Sequence, residues 1–324
     1  MRRKPVLLLM ALACGPARVS AQTPYPACNR PIVTASSDNI NLCNAAVDGA
    51  NVFQPVAGLL MSGGNAVLGS THTLGGLGHF AITARVNATE LKTPSLNYNG
   101  ATDTVGSGSK IFAPAPLVEA AAGVLGGFGS SGFLSLDVLG SAQLLPTTQV
   151  KNLSVDPNAR KIGSVALGLG YGARVGVIKG GSLIPAVTVS AMHRSIPRLT
   201  VGSLTSGDNY SFSTDLSVTN LRAVAGYKLA ILDVGAGLGW DKYTSGTRIL
   251  FKDQLVSQTD TVNLNLDNSR KLAFLTAGLD LPIIKIGAEV GYQLGKTETL
   301  KTVFIGNDPS ASRLFAGAGV RFSF

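Results

Sequence analysis

Reactive side chains are scarce in this chain of 324 residues: it holds three histidines, three cysteines and one tryptophan, and only 14% of it is Asp, Glu, Lys or Arg. Nucleophilic catalysis needs a base, most often histidine, set beside a Ser, Thr or Asp. His72 and His79 precede or open the first of the strands read below, and His193 falls by strand parity on an apolar face with Val187, Val189 and Ala191. Cys28 and Cys43 have no histidine near them in sequence, which argues against zinc, and no acid cluster has calcium-loop spacing. Gly168-Leu169-Gly170-Tyr171-Gly172 and Gly106-Ser107-Gly108-Ser109-Lys110 lack the strand, turn and helix that a phosphate-cradling glycine loop requires. No enzymatic activity, metal or cofactor is therefore expected.

Long apolar runs are also missing. Beyond residue 21 no stretch approaches the roughly 18 apolar residues of a membrane-spanning helix. The first residues have the order of a secretory signal peptide: Arg2, Arg3 and Lys4, then the apolar run Pro5 to Ala13, then Val19-Ser20-Ala21 before Gln22. A competing reading makes Cys14 a lipidated cysteine, but Ala11-Leu12-Ala13 place the bulky residue poorly for it. Cleavage after Ala21 removes Arg2, Arg3, Lys4 and Arg18, leaving 23 basic against 18 acidic residues, scattered along the chain. That pattern disfavours nucleic acid as a partner. Export to an oxidising space favours a Cys28–Cys43 disulfide.

Glycine is abundant, at 39 residues, in a chain that is 45% hydrophobic. Tight-turn candidates at Gly126-Gly127-Phe128-Gly129, Lys179-Gly180-Gly181-Ser182, Ala230-Ile231-Leu232 and Leu281-Pro282-Ile283 recur every 52 residues or so. Between them lie a strand, a longer polar stretch and a returning strand. Ten strands follow, at about 77–91, 113–126, 131–144, 162–177, 183–195, 215–229, 232–244, 270–282, 284–297 and 312–324, with eight or twelve as alternative counts. In the seventh, Leu232, Val234, Ala236, Leu238 and Trp240 oppose Asp233, Gly235, Gly237, Gly239 and Asp241. A soluble sandwich would carry Lys, Glu and Thr on its outer face. A face made of glycine with an occasional charge instead suits the crowded inside of a barrel whose apolar face meets lipid.

The fold class read from this is all-β, an antiparallel up-and-down transmembrane barrel of about ten strands with a short, partly helical N-terminal segment. Residues 1–21 form the leader, 22–76 a periplasmic or plug segment and 77–324 the barrel. Short turns and both termini face the periplasm, and loops 92–112, 145–161, 196–214, 245–269 and 298–311 face outward. Within 22–76, a helix from about Asp38 to Phe53 is followed by Gln54-Pro55, with one or two short helices stopped at Gly63-Gly64. The glycine-rich inner wall leaves space that either this segment or long arginine side chains must fill.

The final strand, Leu314 to Phe324, alternates up to its terminal phenylalanine and resembles the closing strand of bacterial outer-membrane β-barrels. The resemblance implies an assembly signal in Val320, Phe322 and Phe324, read by the barrel-assembly machinery, and an outer-membrane location. Val52-Phe53-Gln54-Pro55, Gly64-Asn65 and Gly75 to Asn87 resemble the start of uncharacterised barrels of this kind. Omptin-type proteases, which are ten-stranded, use aspartates and a histidine at the outer rim; Asp241, Asp215 and His193 are the nearest counterparts, without that family's local motifs.

Strand parity turns thirteen charges inward: Arg85, Glu119, Asp137, Arg174, Arg194, Arg222, Lys228, Asp233, Asp241, Asp280, Lys285, Glu289 and Arg321. Their mixed signs fit an internal ion-pair network or a solute-selective lining. Lys228 with Asp233, and Asp280 with Lys285, flank short turns as pairs that fix register. The expected function is passage or binding of a small solute, hydrophobic ones included, in the outer membrane; the alternative is a structural or surface-interaction barrel acting through its loops. Ligand identity and oligomeric state stay open.

Overall fold

The computed structural model describes residues 24–29, 37–98, 104–129, 132–146, 153–181, 183–253, 259–305, 308 and 310–324. The expected leader and Cys14 lie outside them. Ten strands form the wall: β1 (Phe80–Pro94), β2 (Ser107–Leu125), β3 (Ser135–Pro146), β4 (Val165–Ile178), β5 (Ala186–Ser195), β6 (Tyr210–Leu229), β7 (Leu232–Lys252), β8 (Thr259–Asp280), β9 (Ile284–Gln293) and β10 (Arg313–Ser323). Each pairs antiparallel with its sequence neighbour, and β1 pairs with β10 from Ala81↔Ser323 to Thr89↔Phe315, closing the ring. Closure leaves no unpaired edge, so the wall satisfies its own backbone in an apolar surround.

The outer face of that wall is apolar. Tyr171 is 70% exposed, Leu238 68% and Leu275 62%, with Ile82, Val138, Ile286 and Val290 close to half exposed. A continuous apolar belt has no place in water and is the lipid face of a transmembrane barrel. From Leu232 to Trp240 a tilted strand climbs roughly 20 Å, close to the height of an outer-membrane apolar band.

Three strands run well past the belt. β6, β7 and β8 have 20, 21 and 22 residues, whereas about 9–11 suffice to cross. Above the register row Leu221↔Trp240↔Lys271 their polarity inverts. Outward positions become Asp215, Ser217, Thr219, Lys242 and Thr244, and inward ones Phe212, Leu216, Val218, Tyr243, Ile249 and Phe251, all buried. Solvent has replaced lipid outside, so the apolar residues turn in. The expected loop 245–269 is therefore largely strand, and the expected loop 196–214 gives its last residues, from Tyr210, to β6. Val303–Phe304 pairs in parallel with Thr104–Val105, and Leu199–Val201 pairs with β6 and with Leu153–Val155.

Inside the ring runs a single helix, α1 (Ser37–Ser62), of 26 residues. The sequence reading broke it at Pro55. Proline there removes one helical hydrogen bond, but neighbouring Gln54 donates to Ser245 Oγ and to the Leu266 carbonyl, and wall contacts hold both turns in line. Ala, Gly and Val make the helix slender enough to be buried on nearly every side. It ends at Gly63, whose φ of +58° and N–H···O bond to Leu59 at 2.9 Å form a left-handed stop.

The direction of α1 corrects the expectation that both ends of the chain lie on the short-turn side. Its start sits under the long loops: Asp48 accepts from the Lys301 and Thr302 amides at 2.9 and 2.7 Å, and Tyr25 donates to the Thr299 carbonyl. A helix of this length spans about 39 Å, enough to pass through the belt. Cys28 and Cys43 form a disulfide with Cα atoms 5.8 Å apart, tying the short turn Pro26–Cys28 to the helix. Phe80 and Phe324, at the other end, exchange two backbone hydrogen bonds and stack at 4.8 Å.

Candidate functional site

From Ser37 to His79 the chain descends the lumen, and charged wall residues meet it at each level. Near the middle, Arg222 reaches from β6 to the end of α1. Its Nε donates to the Gly64 carbonyl at 2.8 Å and its Nη2 to that of Gly63 at 2.9 Å, while Nη1 pairs with Asp241 at 2.6 Å. Asp241 also accepts from Ser62 Oγ and Tyr243 Oη, and Gln293 donates to Tyr243. Opposite, Glu289 accepts from the Gly64 and Asn65 amides, each at 2.8 Å, and pairs with Arg85. Arg85 bonds the Asn65 carbonyl and Glu119, and Arg194 completes the group on Glu119 at 3.1 Å. The free carbonyls and amides at the helix end are thus met by buried charges of the matching sign.

Lower down, the connection between α1 and β1 lies on the wall. Gly69 has φ +65°, and a Cβ there would fall 3.0 Å from the Cα atoms of Gly278 and Gly287, so backbone meets backbone. Thr71 donates to Asp233 at 2.6 Å, and the Leu74 amide to Asp137, which also holds Arg174 at 2.7 Å. Of the two turn-flanking pairs read from sequence, Asp280 with Lys285 forms, but Lys228 binds Asp280 at 2.7 Å across the neighbouring strand and not Asp233, which Lys285 holds instead. Lys228 and Asp280 stand at the rim, half and one quarter exposed. Arg321 is buried, with its one hydrogen bond, to the Leu68 carbonyl, at 3.5 Å.

Phe322 and Phe324 are exposed at the short-turn rim, and Val320 is half-buried between Ala84 and Ile286. His193 lies on the outside, bonded to Thr219 Oγ1 and tilted against Tyr171. Asp215 faces outward above the belt with Arg198, while Asp241 is sealed inside. The wall therefore separates Asp241 from the other two residues weighed for a protease.

Sequence reading missed the partners on the inner chain, Ser62, Thr71 and Asp48, because nothing in their spacing marks them. It also missed Arg270, buried and paired with Glu298 at 2.8 Å, although its parity on β8 matches that of Asp280. Burial raises the Asp48 carboxyl above the ordinary range, against bonds from Thr302, Tyr25 and Lys301 that lower it. Among the described residues no group of three or more His, Cys, Asp or Glu could hold a metal ion.

No family model matches the chain, and no curated protein matches it. Solved structures do. The outer membrane protease OmpT from Escherichia coli is 10% identical over 79% of this chain and 100% of that one, with a TM-score of 0.42. The translocator domain of autotransporter NalP from Neisseria meningitidis is 11% identical over 87% and 97%, at 0.40. The Pseudomonas putida toluene transporter TodX is 12% identical over 76% and 88%, at 0.26. At such identities and scores the likenesses carry no functional argument; that this chain is a closed, ten-stranded antiparallel barrel follows from its own strand pairing.

Proposed function

We propose that the protein is a plugged, non-catalytic barrel of the outer membrane that meets its surroundings through the strand extensions and loops above the lipid belt. The observation that carries this reading is the seam between α1 and the wall. Arg222, Arg85 and Glu289 bind the backbone at residues 63–65 with charged groups buried on all sides. Removing one partner from such a cluster leaves an unpaired interior charge, which costs about 3–5 kcal/mol, so the helix is not a loosely held gate. Lipid surrounds the apolar wall, and the terminal strand is the part offered to the assembly machinery. The separation of His193 from Asp241 supports a role without catalysis.

Single-channel recording of the purified protein in planar bilayers tests this. The intact chain should give no stable conductance, and a chain lacking residues 37–62, or the doubly altered Arg222→Ala/Glu289→Ala, should give discrete steps. Steady conductance from the intact protein would overturn the reading in favour of passage of a small solute. Binding of a small solute is a second reading, favoured by a cavity at the short-turn end.

A further inference from the structure

Charge in that cavity does not balance. It has a volume of about 460 Å³ and lies between the connection at Ser70–Leu74 and the turn Leu281–Ile283, with Lys228, Lys285, Arg321, Asp233 and Asp280 on its walls. Lys228 and Lys285 are matched by Asp280 and Asp233 at 2.7–3.1 Å. Arg321 is left over. It is only 7% exposed, no carboxylate of the described residues lies within 4 Å of it, and its Nε has no hydrogen-bond partner. Arg174 is close enough to repel it and carries an Nη1 without a partner, while Asp280 and Asp233 attract it only from beyond 4 Å.

A guanidinium removed from bulk water without a counter-charge is costly, and the other described arginines of the inner network, Arg85, Arg174, Arg194 and Arg222, are each met by a carboxylate. A planar donor fork with a buried, unpartnered Nε–H, on the wall of a polar space large enough for an anion, has the chemistry to receive a tetrahedral oxyanion. We propose that the cavity is a phosphate subsite, in which Arg321 donates from its free edge and Lys228 and Lys285 supply flanking positive charge. Its mouth stands beside Ile283, 80% exposed, and near Phe324, 62% exposed, at the rim of the lipid belt. The phosphate can therefore arrive as a free anion from the periplasm or as the headgroup of an inner-leaflet phospholipid. The inference does not depend on whether the barrel conducts.

The test uses the full chain purified in an uncharged detergent and titrated calorimetrically with inorganic phosphate, against chloride at equal ionic strength. A parallel arm reconstitutes it into phosphatidylcholine nanodiscs with or without phosphatidylglycerol and identifies retained lipid by native mass spectrometry. Arg321→Gln should weaken binding at least tenfold, and Lys228→Gln a few-fold, with folding checked by the mobility shift on boiling. Phosphate binding lost in Arg321→Gln establishes the free-anion source. Retention of phosphatidylglycerol alone, lost in the same variant, establishes the headgroup. If the unaltered chain takes neither, or if Arg321→Gln binds as well as the parent, the site is refuted. Should Arg321→Gln fail to fold, unchanged affinity in Lys228→Gln refutes it as well.

Discussion

Thr73 Oγ1 and Ser135 Oγ lie 2.7 Å apart, one on the connection that leaves the lumen and the other at the first residue of β3. Cysteines at both positions, Thr73→Cys/Ser135→Cys, should therefore oxidise to a disulfide without disturbing the barrel. The check is a mass shift under non-reducing conditions together with retained heat-modifiability. A folded barrel whose two thiols stay free would show that the connection does not lie on this wall.

Arg222 and Asp241 act as a unit with the end of α1. Arg222→Ala should destabilise the fold by about 3–5 kcal/mol, since it strands the buried Asp241 and frees two carbonyls. Adding Asp241→Asn should recover part of that loss, and a thermodynamic cycle on unfolding midpoints should give a coupling above about 1 kcal/mol. Strictly additive effects would count against the pairing.

The terminal strand makes a test of facing. Phe324→Asp places charge in the exposed rim where Phe324 stacks on Phe80, whereas Ser323→Asp points into the polar cavity at Lys285 and Arg321. The first should reduce membrane assembly measurably, with a loss of up to about 1 kcal/mol in barrel stability, and the second little. Equal yields of assembled protein would contradict the assigned faces.

Asp48 gives a pH dependence with a definite sign. Its folded carboxyl is raised by burial, so between the ordinary carboxylate range and that raised value the folded protein holds a proton that the unfolded chain has released. Its contribution is full at acid pH and is lost as pH rises through the folded value. Relative to Asp48→Asn, the parent should lose thermal stability as pH rises above the ordinary carboxylate range, about pH 4. A difference that is flat or grows with pH there would exclude this role.

How far the fold could be read depended on what lay outside each strand. Leu232 to Trp240 alternates against lipid, and the count of ten, the turns and the inward charges all follow from that template. Beyond Trp240 the same strand continues with Tyr243, Ile249 and Phe251 turned in, an ordinary soluble pattern that the template reads as loop. Pro55 misled because local propensity knows nothing of Ser245 and Leu266, which anchor the adjacent Gln54 from about two hundred residues away. The glycine-lined wall showed only that something must fill it, the segment 22–76 or long arginine side chains, and the lumen holds both α1 and the buried Arg85, Arg174 and Arg222. The direction of α1 was hidden, since it is set by contacts distant in sequence, such as those of Tyr25 and Asp48 with residues 299–302.

The descent of the chain from the outer loops to Phe80 also bears on how the molecule is made. Threading this segment into a finished ring would carry the turn and helix start joined by Cys28–Cys43 through a lumen crossed by Arg85, Arg174 and Arg222. Winding the strands around a helix already in place needs no such passage. The N-terminal helix is then a mandrel, and the zipping of β1 onto β10, ending where Phe80 meets Phe324, is the stitch that locks it in.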